Sequence, residues 1–528
     1  MHAPKHSTFP LLIVLIVIAA ISLPYLYAWR AGGAAYQFAG FLINPLDGIT
    51  YIAKMYQGWE GNWVYKLAYS AQPGVGAYIN LFYLTLGHLA RVLRLPLLGV
   101  YHGTRLLGAL SLLGALWRFY GAIFPTSEDE RLRRAAFALA ALGSGLGWLA
   151  LPFGAITSDF WVSEAFPFLA AYTNPHFPIS LALMLVLLTP YENMRWQNLA
   201  IAVIAAILLS VISPFALVVV LIISAAVWLL QWILTRSADW RAALRLLVVG
   251  ISGSPLLLYY LWVARTDSVI AAWNTQNINP APPLWDFFIA FAPVLLYSLG
   301  GWWINAKTLK RQEVNPLLRF PHLILVWAVL GIILIYLPIG FQRRFIFGLW
   351  IPWAALAAWG LEQLAKHGKK SYRFWTRWIF GLAIPTNILV IVIAFFGVQT
   401  HEPRFYLTFD EVQALAWIEA NTSPDALILA SPEMGAFIPA YTGRRVIYGH
   451  PYETVNAAAE QLLKGSASHL VGLYLSDLLP SDSHLFSLLD QARQGGTAVS
   501  EYGITLESPR IGRYLVNVQA APMTEHVG

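Results

Sequence analysis

The chain is predicted to be an α-helical polytopic membrane protein with about 11 transmembrane helices, interface helices in a long first outer loop, and a C-terminal extracytoplasmic α/β domain. Three observations predict it. Eleven apolar stretches long enough to cross a bilayer run between Leu11 and Val398. A hydrophobic content of 58% against 12% charged residues excludes an ordinary soluble protein. After Val398 the composition turns: Asp, Glu, Ser, Pro and Gly become frequent and no further apolar run appears.

Spans are expected near 10–29, 99–124, 135–153, 176–190, 198–212, 215–234, 244–263, 284–304, 320–338, 345–361 and 378–398. The first, from Leu11 to Tyr27, follows Lys5 and is longer than a signal-peptide core, so it reads as an uncleaved anchor. The 22 Trp and 25 Tyr suit positions at the headgroup level. Net charge is +7, but the basic residues sit in short loops between apolar runs, where membrane orientation explains them; no nucleic-acid partner is expected. The absence of Cys excludes disulfides, thiolate nucleophiles and Cys-ligated metals.

A further apolar stretch, 75–94, would reverse every later loop if it crossed. With that stretch left out and the N-terminus inside, Lys5, Arg131, Arg133, Arg134, Arg236, Arg241, Arg245 and the basic clusters of 307–319 and 366–377 all fall on the inner side. That is the expected bias of inner loops toward Lys and Arg. The stretch 75–94 is therefore expected to lie along the outer interface, where Arg91, Arg94 and His88 suit it. The first outer loop then runs from about residue 30 to 98. This divides the chain into a transmembrane domain, 1–398, and an extracytoplasmic domain, 399–528. In the latter, helices are expected over 409–420 and 454–464, with buried strands at 425–430 and 446–448.

Candidate functional residues face the outer side. Asp47, in Asn44-Pro45-Leu46-Asp47-Gly48, is a carboxylate at a bilayer surface, where solvation is lost. It can act as general base to an acceptor or hold a metal. It can equally cap a helix over 49–59, and the roles are compatible. Tyr51 and Lys54 follow it at helical spacing, and Lys54 and Lys66 would add positive potential. Arg343 and Arg344, in Gly340-Phe341-Gln342-Arg343-Arg344, run against the orientation bias on the outer side. Guanidinium forks match phosphate oxygens, which suits a lipid phosphate at that depth; the alternative is snorkelling to headgroups. Asn174 and His176 open the span at 176. Asp159 and Glu164 precede them, each a second acid or a solvated loop residue. Gln72, before Pro73, shapes the entry to the interface stretch. There is no Walker loop, HExxH or GxSxG, so energy must come from an activated lipid-borne donor, a gradient, or neither.

This plan resembles the GT-C membrane glycosyltransferases, which use sugars carried on polyprenyl phosphates. Asp47 matches the family's first-loop acid, a catalytic base or metal ligand. Gln72-Pro73, Tyr78 and Gly87 resemble its short proline-led helix, and Arg343 or Arg344 matches its late outer-loop arginine on the donor phosphate. Thr408-Phe409-Asp410-Glu411, Ala430-Ser431-Pro432-Glu433 and Gly443 to Pro451 resemble the outer domain of uncharacterised bacterial members. Many members carry two adjacent acids where Asp47 stands alone, so a divalent metal is neither required nor excluded and the cofactor is unknown. The resemblance implies hexosyl or pentosyl transfer from a polyprenyl-linked sugar donor to a glycan, lipid or protein acceptor at the outer face of a bacterial plasma membrane. Asp47 would be the base and Arg343 and Arg344 would hold the phosphate. Tyr51, Lys54, Gln72, Asp159, Glu164, Asn174 and His176 would line the pocket. The rival readings are a transporter or flippase of lipid-linked glycans and a non-catalytic partner in cell-envelope glycan assembly.

Overall fold

Among the described residues, six helices are long and apolar enough to cross a membrane: Thr8–Ala31, Leu97–Ile123, Pro214–Thr235, Trp240–Thr266, Leu284–Lys307 and Tyr372–Gln399. This is an integral membrane protein. Glu130–Leu142 and Gly147–Phe153, bent by 42°, together make a seventh candidate. The computed structural model describes residues 8–190, 195–309, 322–338, 340–455 and the short strands at 506–508, 512–514 and 517–518.

The remaining predicted spans behave differently. His176–Leu188, Trp196–Ile212 and His322–Ile335 are apolar but short. The 13 residues of His176–Leu188 reach only about 20 Å, against a hydrocarbon core of about 30 Å. Trp350–His367 is buried at every position from Trp350 to Leu361 except Trp359. A helix apolar on all faces belongs inside a bundle, packed by protein rather than lipid. Gly301 meets Gly360 where the Leu284–Leu309 and Trp350–His367 helices cross, and a Cβ on either glycine would overlap the facing backbone. Small residues allow that approach between membrane helices.

By its contacts the chain forms two units. The first comprises Met1–Leu26, His102–Tyr259 and Ile278–Phe396, and holds most of these helices. The second comprises Tyr27–Tyr101, Tyr260–Asn277 and Gly397–Gly528.

Within the second unit, strand Tyr36–Phe38 pairs antiparallel with Tyr406–Thr408. A Thr408–Glu411 capping box then starts helix Phe409–Asn421, matching the helix expected over 409–420. Strand Leu427–Leu429 runs through helix Pro432–Thr442 to a parallel partner, Arg445–Val446, as a β-α-β unit; Asn517–Val518 pairs antiparallel on the other edge. The helix expected over 454–464 lies outside the described residues beyond its first two positions.

In the first loop, helix Pro45–Glu60 packs on helix Leu81–Leu93, with glycines at the crossing. A Cβ on Gly58 would strike the Leu84 carbonyl, and one on Gly87 the Met55 carbonyl. The interface stretch of 75–94 is helical only over Leu81–Leu93. Residues 72–80 are extended and turning, with Gly74 and Gly76 at positive φ, Ala77 bridged to Tyr65 and Asn80 left-handed at φ 55°. The proline-led helix expected from Gln72-Pro73 is therefore absent.

Candidate active site

Helix Pro45–Glu60 carries the early acid. Pro45 starts it, where a missing N–H costs nothing, and Asn44 is its N-cap in a left-handed conformation (φ 46°) without a side-chain cap bond. Asp47 is thus in the first turn and is not the cap, a position where the helix dipole favours a carboxylate. Gly48 has to be glycine, because a Cβ there would enter the Phe41 ring.

Asp47, Thr50, Tyr51 and Lys54 fall on one face at helical spacing. Against it lies the loop His450–Thr454. His450 is buried and its Nε2 is 3.5 Å from Asp47 Oδ1. Two turns further along, the Lys54 ammonium is buried, 2.6 Å from Glu453 Oε1. It also lies 4.9 Å from the Tyr51 ring and 5.9 Å from that of Tyr65. The positive potential expected of Lys54 is thereby neutralised locally. Tyr51 stacks on Tyr83 at 4.3 Å. Burial, and after it the Glu453 charge, pushes the Tyr65 and Tyr69 phenols well above their usual range, so both stay protonated donors. Gln72 is exposed, and its backbone closes a turn with the Ser70 hydroxyl.

The arginines lie in the first unit, on the 3₁₀ turn Gln342–Ile346. Arg343 donates from its backbone N–H to the Asn279 carbonyl and from Nη2 to Asn279 Oδ1, 2.9 Å away. Its guanidinium lies over the Trp161 ring at 4.8 Å. Arg343 Nε and Glu164 Oε1 are 3.7 Å apart, an ion pair too long to be a hydrogen bond, and both atoms are buried without a hydrogen-bond partner among the described residues. Arg344 is half-exposed. Asn174 and His176 are buried at the start of helix His176–Leu188, and the neighbouring Phe177 ring sits 6.2 Å from that of Phe347.

The two candidate second acids have separate fates. Glu164 faces Arg343. Asp159 is fully buried, accepts from the Thr157 hydroxyl and the Gly147 N–H, and ties the 144–160 segment together. Burial raises its carboxyl to about 6, opposed by those hydrogen bonds. A carboxyl whose pKa is higher folded than unfolded favours folding while protonated. That contribution is complete below the usual carboxylate range and is lost as pH rises through about 6. Asp159→Asn stays neutral, so its thermal midpoint should gain on the wild type as pH rises through that window. A midpoint difference that does not change with pH would contradict this.

Sequence reasoning missed His450 and Glu453 as site residues. His450 lies within a stretch noted only for its resemblance to other chains, and its pairing with Asp47 spans some 400 positions that a single sequence cannot link. Among the described residues no group of three or more His, Asp or Glu could hold a metal ion.

The structure is similar to the oligosaccharyltransferase of Archaeoglobus fulgidus tethered with an acceptor peptide containing the NVT sequon: TM-score 0.51, 15% identity, covering 85% of this chain and 65% of that one. It is also similar to the same organism's oligosaccharyltransferase AglB in complex with an inhibitory peptide and a dolichol-phosphate: TM-score 0.50, 14% identity, covering 86% and 65%. The chain has the GT-C fold. The likeness is one of fold, and this chain spans 65% of its archaeal neighbours' length. Residues 454–528 match a different family, the PAS fold. Over 71 residues the chain is 34% identical to the sensory histidine kinase/phosphatase NtrB of Azospirillum brasilense, covering 13% of this chain and 18% of that protein. The 454–528 segment falls within the stretch predicted as the 399–528 domain.

Proposed function

We propose that this GT-C chain is a glycosyltransferase that moves a sugar from a polyprenyl phosphate or diphosphate to an acceptor at the outer membrane face. The acceptor oxygen or nitrogen bonds to the sugar's anomeric carbon as the bond from that carbon to the phosphate oxygen breaks. The lipid phosphate leaves with the electron pair, and the acceptor proton passes to Asp47. Arg343, with Arg344 beside it, stabilises the charge developing on the leaving phosphate. Asp47 acts on the acceptor and the arginines on the donor phosphate, with the N-terminus inside and the loops of 30–98 outside.

The observation that carries this is the first-turn carboxylate of helix Pro45–Glu60, backed by a buried histidine, in a GT-C fold. The anchored Arg343 adds a cation whose buried Nε has no hydrogen-bond partner among the described residues. The archaeal neighbour's complex with a dolichol-phosphate supports the class of donor.

The test uses membrane vesicles bearing the full chain and undecaprenyl-phosphate hexoses labelled in the sugar. Label is expected in a product no longer attached to the prenyl lipid. Label that changes leaflet while still on the lipid would indicate a flippase instead. Label that does neither would indicate a non-catalytic partner.

A further inference from the structure

His450 makes two kinds of contact, and together they fix where its proton is. Its Nδ1 accepts from two backbone N–H groups, those of Tyr452 at 3.1 Å and Glu453 at 3.2 Å. A ring nitrogen that accepts cannot also carry a hydrogen. In a buried neutral imidazole the one proton then sits on Nε2, the atom 3.5 Å from Asp47 Oδ1. An imidazolium would turn a third N–H toward two backbone donors.

The loop that presents this ring is held at several points. Thr454 Oγ1 accepts from the backbone N–H groups of Gly449 and His450. The Tyr452 carbonyl accepts from Trp273 Nε1 and Asn277 Nδ2, and the Thr454 carbonyl from Gln276 Nε2. Glu453 reaches Lys54, seven residues along the same helix face from Asp47. The loop is thus docked on the Pro45–Glu60 helix at both ends of the polar face, with His450 meeting the acid and Glu453 the ammonium.

We infer that His450 is the positioning residue for Asp47: a neutral imidazole that aims an Nε2–H at one carboxylate oxygen and so fixes the orientation of the base. The inference rests on Asp47 being the acceptor base, as proposed above. A group that only closed the 450–454 turn would need its Nδ1 and nothing more. The two nitrogens therefore separate the roles. In His450→Asn the amide oxygen replaces Nδ1 as acceptor, but no N–H stands where Nε2 did. In His450→Gln the amide N–H replaces Nε2.

The experiment has two arms, both on the full chain. In vesicles with labelled undecaprenyl-phosphate hexoses, His450→Asn should lower kcat by about tenfold or more with KM for the donor unchanged, since the loss falls on proton transfer. His450→Gln should recover a large part of that loss. Full activity in His450→Asn, with Asp47→Asn inactive, overturns the inference and leaves the proposed function standing. Full activity in Asp47→Asn overturns both.

The second arm needs no substrate. ¹⁵N-histidine spectra of the wild type and of His450→Asn, subtracted, isolate the His450 signals. They should show the Nε2–H tautomer, with the Nε2 resonance shifted by Asp47→Asn and Nδ1 little changed. An Nδ1–H tautomer, or an Nε2 resonance indifferent to Asp47→Asn, overturns the inference.

Discussion

Asp47→Asn is expected to lower sugar transfer by about 10²- to 10⁴-fold while the protein still inserts and folds. The amide has the shape of the acid but cannot take a proton. The structural cost should be small, because Asp47 is half-exposed and is not the helix cap. Losing a first-turn negative charge costs about 0.3–1 kcal/mol of helix stabilisation. Activity and thermal midpoint measured on the same preparation check this. A large fall in midpoint alongside the lost activity would mark Asp47 as structural, and retained transfer would remove it from the mechanism.

Arg343→Gln should carry the second large effect, about 10²- to 10³-fold in kcat/KM, because a preorganised cation at a leaving phosphate acts mainly on the transition state. Arg343→Lys should restore little of it. A lysine point charge cannot reproduce a planar fork held over Trp161 and bonded to Asn279. Arg344→Gln should cost less, since that side chain is half-exposed and makes no hydrogen bond or ion pair among the described residues. Kinetics of the three variants check this. Equal losses in Arg343→Gln and Arg344→Gln, or full rescue by lysine, would indicate general electrostatic attraction to the membrane surface rather than a defined phosphate contact.

The membrane character was legible because it follows from local composition: apolar runs of known length. Helix length was less legible. A window of apolar residues over 176–190 or 320–338 does not show that the helix stops after 13 or 14 residues, nor that Trp350–His367 is apolar because protein surrounds it. The start of the interface helix was misplaced because the Gly74, Gly76 and Asn80 conformations override the helical spacing read through 75–80. Lys54 looked like a free outer cation because its partner is 399 positions away. Asp159 and Glu164, five residues apart, were indistinguishable by type and loop. Both are buried, and only their partners show one holding a loop and the other facing Arg343. The PAS-like segment, 454–528, lies within the stretch whose alternating elements read as one small α/β domain.

Transfer from a lipid-linked donor needs a cation on the leaving phosphate, and Arg343 is the residue proposed to supply it. The most direct measurement is an experimental structure of the full chain in lipid nanodiscs with an undecaprenyl-phosphate hexose bound. The donor phosphate is expected on the Arg343 guanidinium, over Trp161. A phosphate bound away from Arg343 would contradict this.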